Sequence, residues 1–283
     1  MSWFWISVAC SAVNFVYFKA FERWGIQTFQ AVASNYVICV LLGLWLLPGG
    51  QKLSLDTAWL PWASLIGAFY IFIFWLIGRS TQKVGVAPTA IAAKLSMVIP
   101  VTAAFLLYGD PFTITAFSAL LLAAAAIGLT ANKNTKTQPK NRNWQLPLII
   151  FISAGIADLL LKHTEISFLQ SADNALFLIV LFGAAGIIGW LAILVGWLQG
   201  SLKLNLKSLS AGILLGLTNF FSVYGILFAL KSLKASVLFP LNNLAIILIS
   251  SALAALLFRE RLQRRQYWGV LLAVLAMGLL LWA

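Results

Sequence analysis

Acidic residues are scarce: the chain has 7 Asp and Glu among 283 residues, against 19 Lys and Arg. Charged residues make up only 9% and hydrophobic ones 62%, whereas a soluble domain is about 25% charged. With a mean hydropathy of +0.96, this deficit excludes an ordinary water-soluble enzyme. Histidine occurs once and cysteine twice, as Cys10 and Cys39, both inside apolar runs. Neither a zinc centre nor a disulfide framework can be assembled from that set, and no cofactor is expected. No Ser–His–Asp set and no glycine-rich phosphate loop occurs, so enzymatic chemistry is not expected either. The net charge of +12 would suggest a nucleic-acid partner in a soluble protein. Here the basic residues lie mostly in short loops, with no continuous face or tail to meet phosphates, and no nucleic acid is expected.

What the chain has instead is a series of long apolar runs, each about the length of the hydrocarbon core. They predict an all-α polytopic membrane protein, because a lipid-exposed segment must satisfy its own backbone groups. Ten spans can be drawn: Trp3–Phe18, Thr28–Leu47, Ala58–Gly78, Val86–Tyr108, Phe112–Ala131, Trp144–Lys162, Asn174–Leu198, Ser208–Leu230, Ala235–Phe258 and Tyr267–Ala283. The first has no basic region before it and no small-residue cleavage site after it, so it reads as a membrane helix and not a removable signal. Gly109-Asp110-Pro111 is all that separates the fourth and fifth spans, predicting a tight helical hairpin.

The segment NKNTKTQPKNRN, residues 132–143, is polar and basic. It predicts a linker between a first five-helix unit (1–131) and a second (144–283). Gly67 and Gly128 in the first unit keep nearly the separation of Gly216 and Gly278 in the second, and YGDPF at 108–112 falls where FRERL falls at 258–262. An odd number of spans per unit makes the two copies inverted repeats, which commonly bind their solute at the pseudo-two-fold axis. Basic residues crowd alternate loops, among them Arg23, Arg79, Lys83, Lys133, Lys203, Lys207 and Arg265; the other loops offer mainly Lys52, Lys231 and Lys234. The positive-inside rule puts the richer loops in the cytoplasm and both termini outside.

Ionisable groups at membrane depth are functional hypotheses by default. Lys94, in PTAIAAKLSMVIPV, lies about 12 Å along its helix at 1.5 Å per residue. Either it meets an anionic ligand in a cavity, or it ties helices together through carbonyls or an internal acid. Asp158 is the one acid well inside a span; Lys162, four residues on, is its nearest candidate partner, and a cavity-facing proton or cation site is the sharper alternative. A direct Asp158–Lys94 pair is disfavoured because their estimated depths differ. Uncharged polar residues form stripes: Ser7, Ser11 and Asn14 on the first span, Thr218, Asn219 and Ser222 on the eighth, Asn242 and Asn243 after Pro240 on the ninth. Each is explained by an interhelical hydrogen bond worth about 0.6 kcal/mol; together they suggest a shared hydrated cavity. Pro100 and Pro240 are expected to kink their helices. Gly183, Gly186 and Gly189 suit close helix packing. Tyr70, Phe74 and Trp75 either line the cavity or pack in the core.

NFVYFKAFE in the first span, AAKLSMVIPV in the fourth and LFRERLQRRQYWGVLLA leading into the tenth, in that order and spacing, resemble the ten-helix EamA-like branch of the drug/metabolite transporter superfamily. Gly109-Asp110 departs from the Gly-Glu pair more usual there, and Lys94 is not expected in most members. The resemblance implies an alternating-access carrier in the bacterial inner membrane, with a cavity walled by spans one, three, four, six, eight and nine. Onto that wall fall Asn14, Lys94, Asp158, Asn219, Asn242 and Asn243, with Tyr70 added from the aromatic stripe. Members often keep their termini in the cytoplasm, opposite to the charge count. The expected partners are a small polar, anionic or carboxylate-bearing solute, membrane lipid, and a proton or other coupling ion at Asp158. A neutral or zwitterionic solute, or a non-transporting scaffold, is the alternative.

Overall fold

A computed structural model of the chain describes residues 2–47, 57–107, 114–131, 145–168, 174–229, 235–260 and 263–280. Among them every regular element is helical: α1 Ser2–Trp24, α2 Thr28–Leu46, α3 Leu60–Lys83, α4 Val86–Leu95, α5 Val98–Leu107, α6 Ile114–Ala131, α7 Gln145–Ser167, α8 Asn174–Leu198, α9 Leu206–Ala229, α10 Ala235–Phe258 and α11 Arg264–Leu280. Eight of the described helical segments are long and apolar enough to cross a membrane, α4 and α5 counting together as one. The expected GDP hairpin and the 132–143 linker lie outside the described residues.

The outer surface fits lipid. Leu191, Leu194, Val195 and Leu198 on α8 and Leu256 on α10 are exposed, an apolar area that water would not tolerate on a soluble protein. Exposed Trp3, Trp5, Trp24, Trp45, Trp197 and Trp268 all stand near helix ends, where the indole ring suits the headgroup region. The molecule is an integral membrane protein.

The fourth predicted span is not one helix. Pro100 has no N–H to give the Ser96 carbonyl, which accepts instead from Ile99 N at 2.9 Å. The helix breaks at Ser96–Met97 into α4 and α5. Pro240, by contrast, sits near the start of α10, which continues through it.

Helix direction follows from contact register. Along α2, Ala33 meets Gly189, Tyr36 meets Gly186 and Gly43 meets Ile179, so α2 and α8 are antiparallel. Gly212 sits at Ala31 and Ser34 and Gly216 at Asn35 and Ile38, making α9 parallel to α2. Gly67 meets Ala184 and Ile71 meets Gly189, so α3 and α8 are parallel. Trp62 meets His163 edge to face while Ile73 packs with Ala154, so α7 opposes α3. Gly225 meets Trp3 and Ser7 while Thr218 meets Asn14, so α1 is antiparallel to α9, and these registers together turn α7 opposite to α1. The expected glycine stripe of α8 is thus what lets α2 approach. Such close backbone contact is how helices associate where lipid removes the hydrophobic drive.

One face gathers the basic loops. Lys207 Nζ donates to Trp24 O at 2.8 Å, Gln30 to Lys203 O at 2.7 Å and Gln266 to Thr130 O at 3.1 Å. Arg23, Lys83 and Arg264 end or begin helices on this same side. It is called the basic face below; the first residue of α1 lies at the opposite, terminal face.

Candidate functional site

A cavity of about 690 Å³ opens between α1, α3, the α4–α5 break, α7, α9 and α10. Its walls are mostly apolar and aromatic, as small-molecule sites generally are. Lys94, Asp158, Tyr70, Asn14, Asn219 and Asn243 all line it. Asn242 does not. It is 1% exposed and turned to the other side of α10, where its side-chain oxygen lies 3.3 Å from the Ser7 hydroxyl. Consecutive residues on a helix point about 100° apart, so only one of two adjacent asparagines can face the cavity squarely.

Lys94 and Asp158 both line the cavity. The Asp158 carboxylate accepts from the Ser96 hydroxyl at 3.3 Å, not from Lys162. The two charges lie near enough to interact electrostatically, yet no direct ion pair joins them. An ammonium and a carboxylate are therefore both presented to the same polar space, with Tyr70 and Tyr36 on its wall.

The asparagines are held by neighbours. Thr218 bonds to the Asn14 side-chain oxygen, and Asn219 donates to the oxygen of fully buried Asn35 at 3.1 Å. The Ser7 hydroxyl donates to Ser222 O at 2.7 Å, while Ser11 and Ser222 bond through their hydroxyls. The polar stripes of α1 and α9 thus bond to one another along one edge and face the cavity along the other.

Asn243 has a sharper role. The break after Leu95 frees the Lys94 carbonyl, and Asn243 Nδ2 donates to it at 3.3 Å, with Met97 Sδ at 2.9 Å. A freed backbone carbonyl in hydrocarbon is costly, so α10 stabilises the break in α4–α5. Asn243→Leu is expected to lower the thermal stability of the detergent-purified protein by about 1–3 kcal/mol, the cost of a buried acceptor left unmet. An unchanged melting temperature would show that the break needs no such support.

The two ends of the cavity differ. Toward the terminal face its lining runs out through Pro100, Val101, Lys162 and the exposed Glu165. Toward the basic face it ends at Phe15, Phe18, Phe74 and Ile77. Beyond them Gln82 Nε2 donates to Phe18 O at 3.0 Å and Thr28 Oγ1 at 2.8 Å. Lys19 Nζ donates to Gln82 O at 3.1 Å and lies 3.3 Å from Glu260 Oε1. Among the described residues the cavity lining reaches the terminal face and is shut at the basic face. Ser96, Tyr36, Lys19, Gln82 and Glu260 were not singled out in the sequence. Lys19 and Gln82 sit near helix ends, where a polar residue ordinarily means only the membrane boundary.

No family model matches the chain. A protein of Haemophilus influenzae described as uncharacterized is 23% identical over 280 residues, covering 95% of this chain and 94% of that protein. A solved structure described only as the crystal structure of a protein is similar with a TM-score of 0.59, at 14% identity over 99% of this chain and 95% of its own. That likeness is one of fold.

Proposed function

We propose that this chain is a secondary transporter of the bacterial inner membrane that moves a small polar, carboxylate-bearing metabolite by alternating access. The observation that carries the reading is the cavity itself. Lys94 and Asp158 both line it, from the adjacent helices α4 and α7, without bonding each other, and its described lining reaches one side of the bundle only. Charges retained at membrane depth and left unpaired mark a path for a charged solute.

An architecture of two inverted five-helix repeats, of the EamA-like kind, is supported by how the helices pair. Matching α1, α2, α3, α4–α5 and α6 with α7, α8, α9, α10 and α11 in order, the most extensively packed pairs have counterparts, while α1–α3, α2–α3 and α3–α4 lack comparably packed ones among the described residues. The α2–α9 pair answers α8–α3, α1–α9 answers α7–α3, and α1–α10 answers α7–α4; α6–α11, α2–α8 and α4–α10 answer themselves. The opposed directions of α1 and α7 agree with inversion, and Gly67 and Gly216 make equivalent close approaches, to α8 and α2. With the basic face in the cytoplasm, the cavity opens outward.

Lys94 would meet the carboxylate, Asn14, Asn219, Asn243 and Tyr70 would orient the remaining polar groups, and Asp158 would serve as the coupling group or as a second charged contact. The latter favours a second reading, a zwitterionic solute, because a carboxylate wall beside Lys94 penalises a purely anionic ligand. Thermal stability against a panel of carboxylates, their amino-bearing analogues and neutral counterparts separates these. Organic anions raising the melting temperature of wild type but not of Lys94→Met support the first reading. Stabilisation only by compounds with both charges supports the second. Purified protein that gives no flux of any stabilising compound in liposomes would remove the transport reading altogether.

A further inference from the structure

At the shut end of the cavity the contacts fall into two groups. On one side stand α1 and α3: Lys19 bonds to Gln82 O, Gln82 to Phe18 O, and Glu22 lies 3.6 Å from the Lys19 ammonium. On the other stand α4 and the chain leaving α10: Glu260 Oε2 accepts from Val86 N at 3.2 Å, so its charge sits at the N-terminus of α4, where the helix dipole favours an anion. Gly85 makes this approach possible. Its φ is +124°, and a Cβ there would stand 3.3 Å from Glu260 Oε2. α3 and α4 stay joined through their short turn and the Ser80–Thr89 hydroxyl pair at 2.7 Å; between α1 and the end of α10 the ties at this face are the Lys19–Glu260 ion pair at 3.3 Å and Arg23 over the Phe258 ring at 4.9 Å.

We propose that the Lys19–Glu260 pair is the latch that holds the basic-face end of the cavity shut, and that opening this end requires the pair to part. The proposal rests on the alternating-access reading above. The contact is built to release. The Lys19 ammonium directs a hydrogen bond to Gln82 O, whereas its approach to Glu260 Oε1 lacks hydrogen-bonding geometry. When the two sides separate, neither charge is abandoned: Lys19 keeps Glu22 and Gln82 on its own side, and Glu260 keeps the Val86 amide. The side chains are 18% and 15% exposed, but Glu260 Oε1 itself is buried without a hydrogen-bond partner, so opening would hydrate an oxygen that the closed state leaves unmet. A tie with these properties gives two arrangements of similar energy, which is what a gate needs.

The same pattern recurs at the open end. Lys19 and Glu22 on α1 are matched by Lys162 and Glu165 on α7, with the same spacing and on the paired helix, and Lys162 and Glu165 line the open mouth. The basic-face latch thus stands where an inverted repeat would require a closure device, at the end of its first helix.

The test uses full-length protein in vesicles, with Cys10→Ala and Cys39→Ala as background and Ile77→Cys as reporter. Ile77 lines the cavity on the helix that carries Gln82. A membrane-impermeant maleimide is added to one face at a time, with Ser201→Cys on the exposed α8–α9 turn marking the basic face. The reporter is expected to react from the terminal face in the background protein. Glu260→Gln should raise its reaction rate from the basic face about tenfold, and Lys19→Gln, which spares the Glu260–Val86 bond, should do the same, as expected when one of two states loses a charge pair. Unchanged basic-face labelling in both variants overturns the proposal. Failure of both to fold also overturns it, since the pair would then be a permanent structural tie. Labelling needs no solute, so a positive result with no flux removes the transport reading and keeps the latch, while flux with unaltered labelling does the reverse.

Discussion

Gly67→Ala is expected to lower the melting temperature of the detergent-purified protein by about 5 °C or more, while Gly128→Ala leaves it unchanged or raises it. The two glycines are a natural pair, since they lie in α3 and α6 of the same half. At Gly67 the added methyl meets the Leu181 carbonyl, the Ala184 methyl and the Ala185 amide of α8. These are backbone or Cβ atoms that cannot rotate away, so α3 and α8 must separate, and overpacking of this kind costs about 1–3 kcal/mol. At Gly128 nothing lies within 4 Å of the new methyl, and alanine gains up to about 1 kcal/mol of helix propensity. Thermal unfolding of both variants in one detergent makes the comparison. Equal losses at the two positions would mean that the α3–α8 contact is looser than its geometry requires.

Lys94→Met is expected to cut solute flux in liposomes by about 10- to 100-fold, the value of one or two charge-assisted hydrogen bonds lost from the bound solute. The substitution keeps a long apolar stem in place and removes only the ammonium, so packing around Leu95 and Ile91 is spared. It also leaves Asp158 with Ser96 as its hydrogen-bond donor, in a wall with less positive charge nearby. Asp158→Asn added to Lys94→Met should therefore recover thermal stability without recovering flux. Recovery of both would make the two residues a structural pair and not a binding site. Wild-type flux in Lys94→Met alone would sink the assignment of the lysine to the solute.

Much of the bundle is legible in the sequence because its signals are local. A membrane helix needs only its own apolar residues and its own backbone bonds, and α2, α8 and α10 match the predicted spans to within a residue or two. Lys94, Asp158, Asn14 and Asn219 stood out as polar groups in apolar runs, and the cavity brings them together. Helix ends were less legible: α1 continues six residues past its predicted end, from Phe18 to Trp24, because a helix that leaves the hydrocarbon keeps its hydrogen bonds while its side chains turn polar. The α4–α5 break was foreshadowed by Pro100, yet the residue that stabilises it, Asn243, is on a helix far along the chain.

The sequence by itself determined that this is a helical membrane protein with charges held where lipid would reject them, and which face collects the basic loops. Hydropathy and charge act residue by residue, so they can be read without knowing what touches what. Only the tertiary structure decided that Asn243 and not Asn242 faces the cavity, that Asp158 bonds to Ser96 and not Lys162, and that Lys19 reaches Glu260 across the bundle. Those outcomes depend on the rotation and register of one helix against another. They are set by close approaches such as Gly67 on Leu181 and Gly212 on Ala31, between segments that no local pattern in the chain connects.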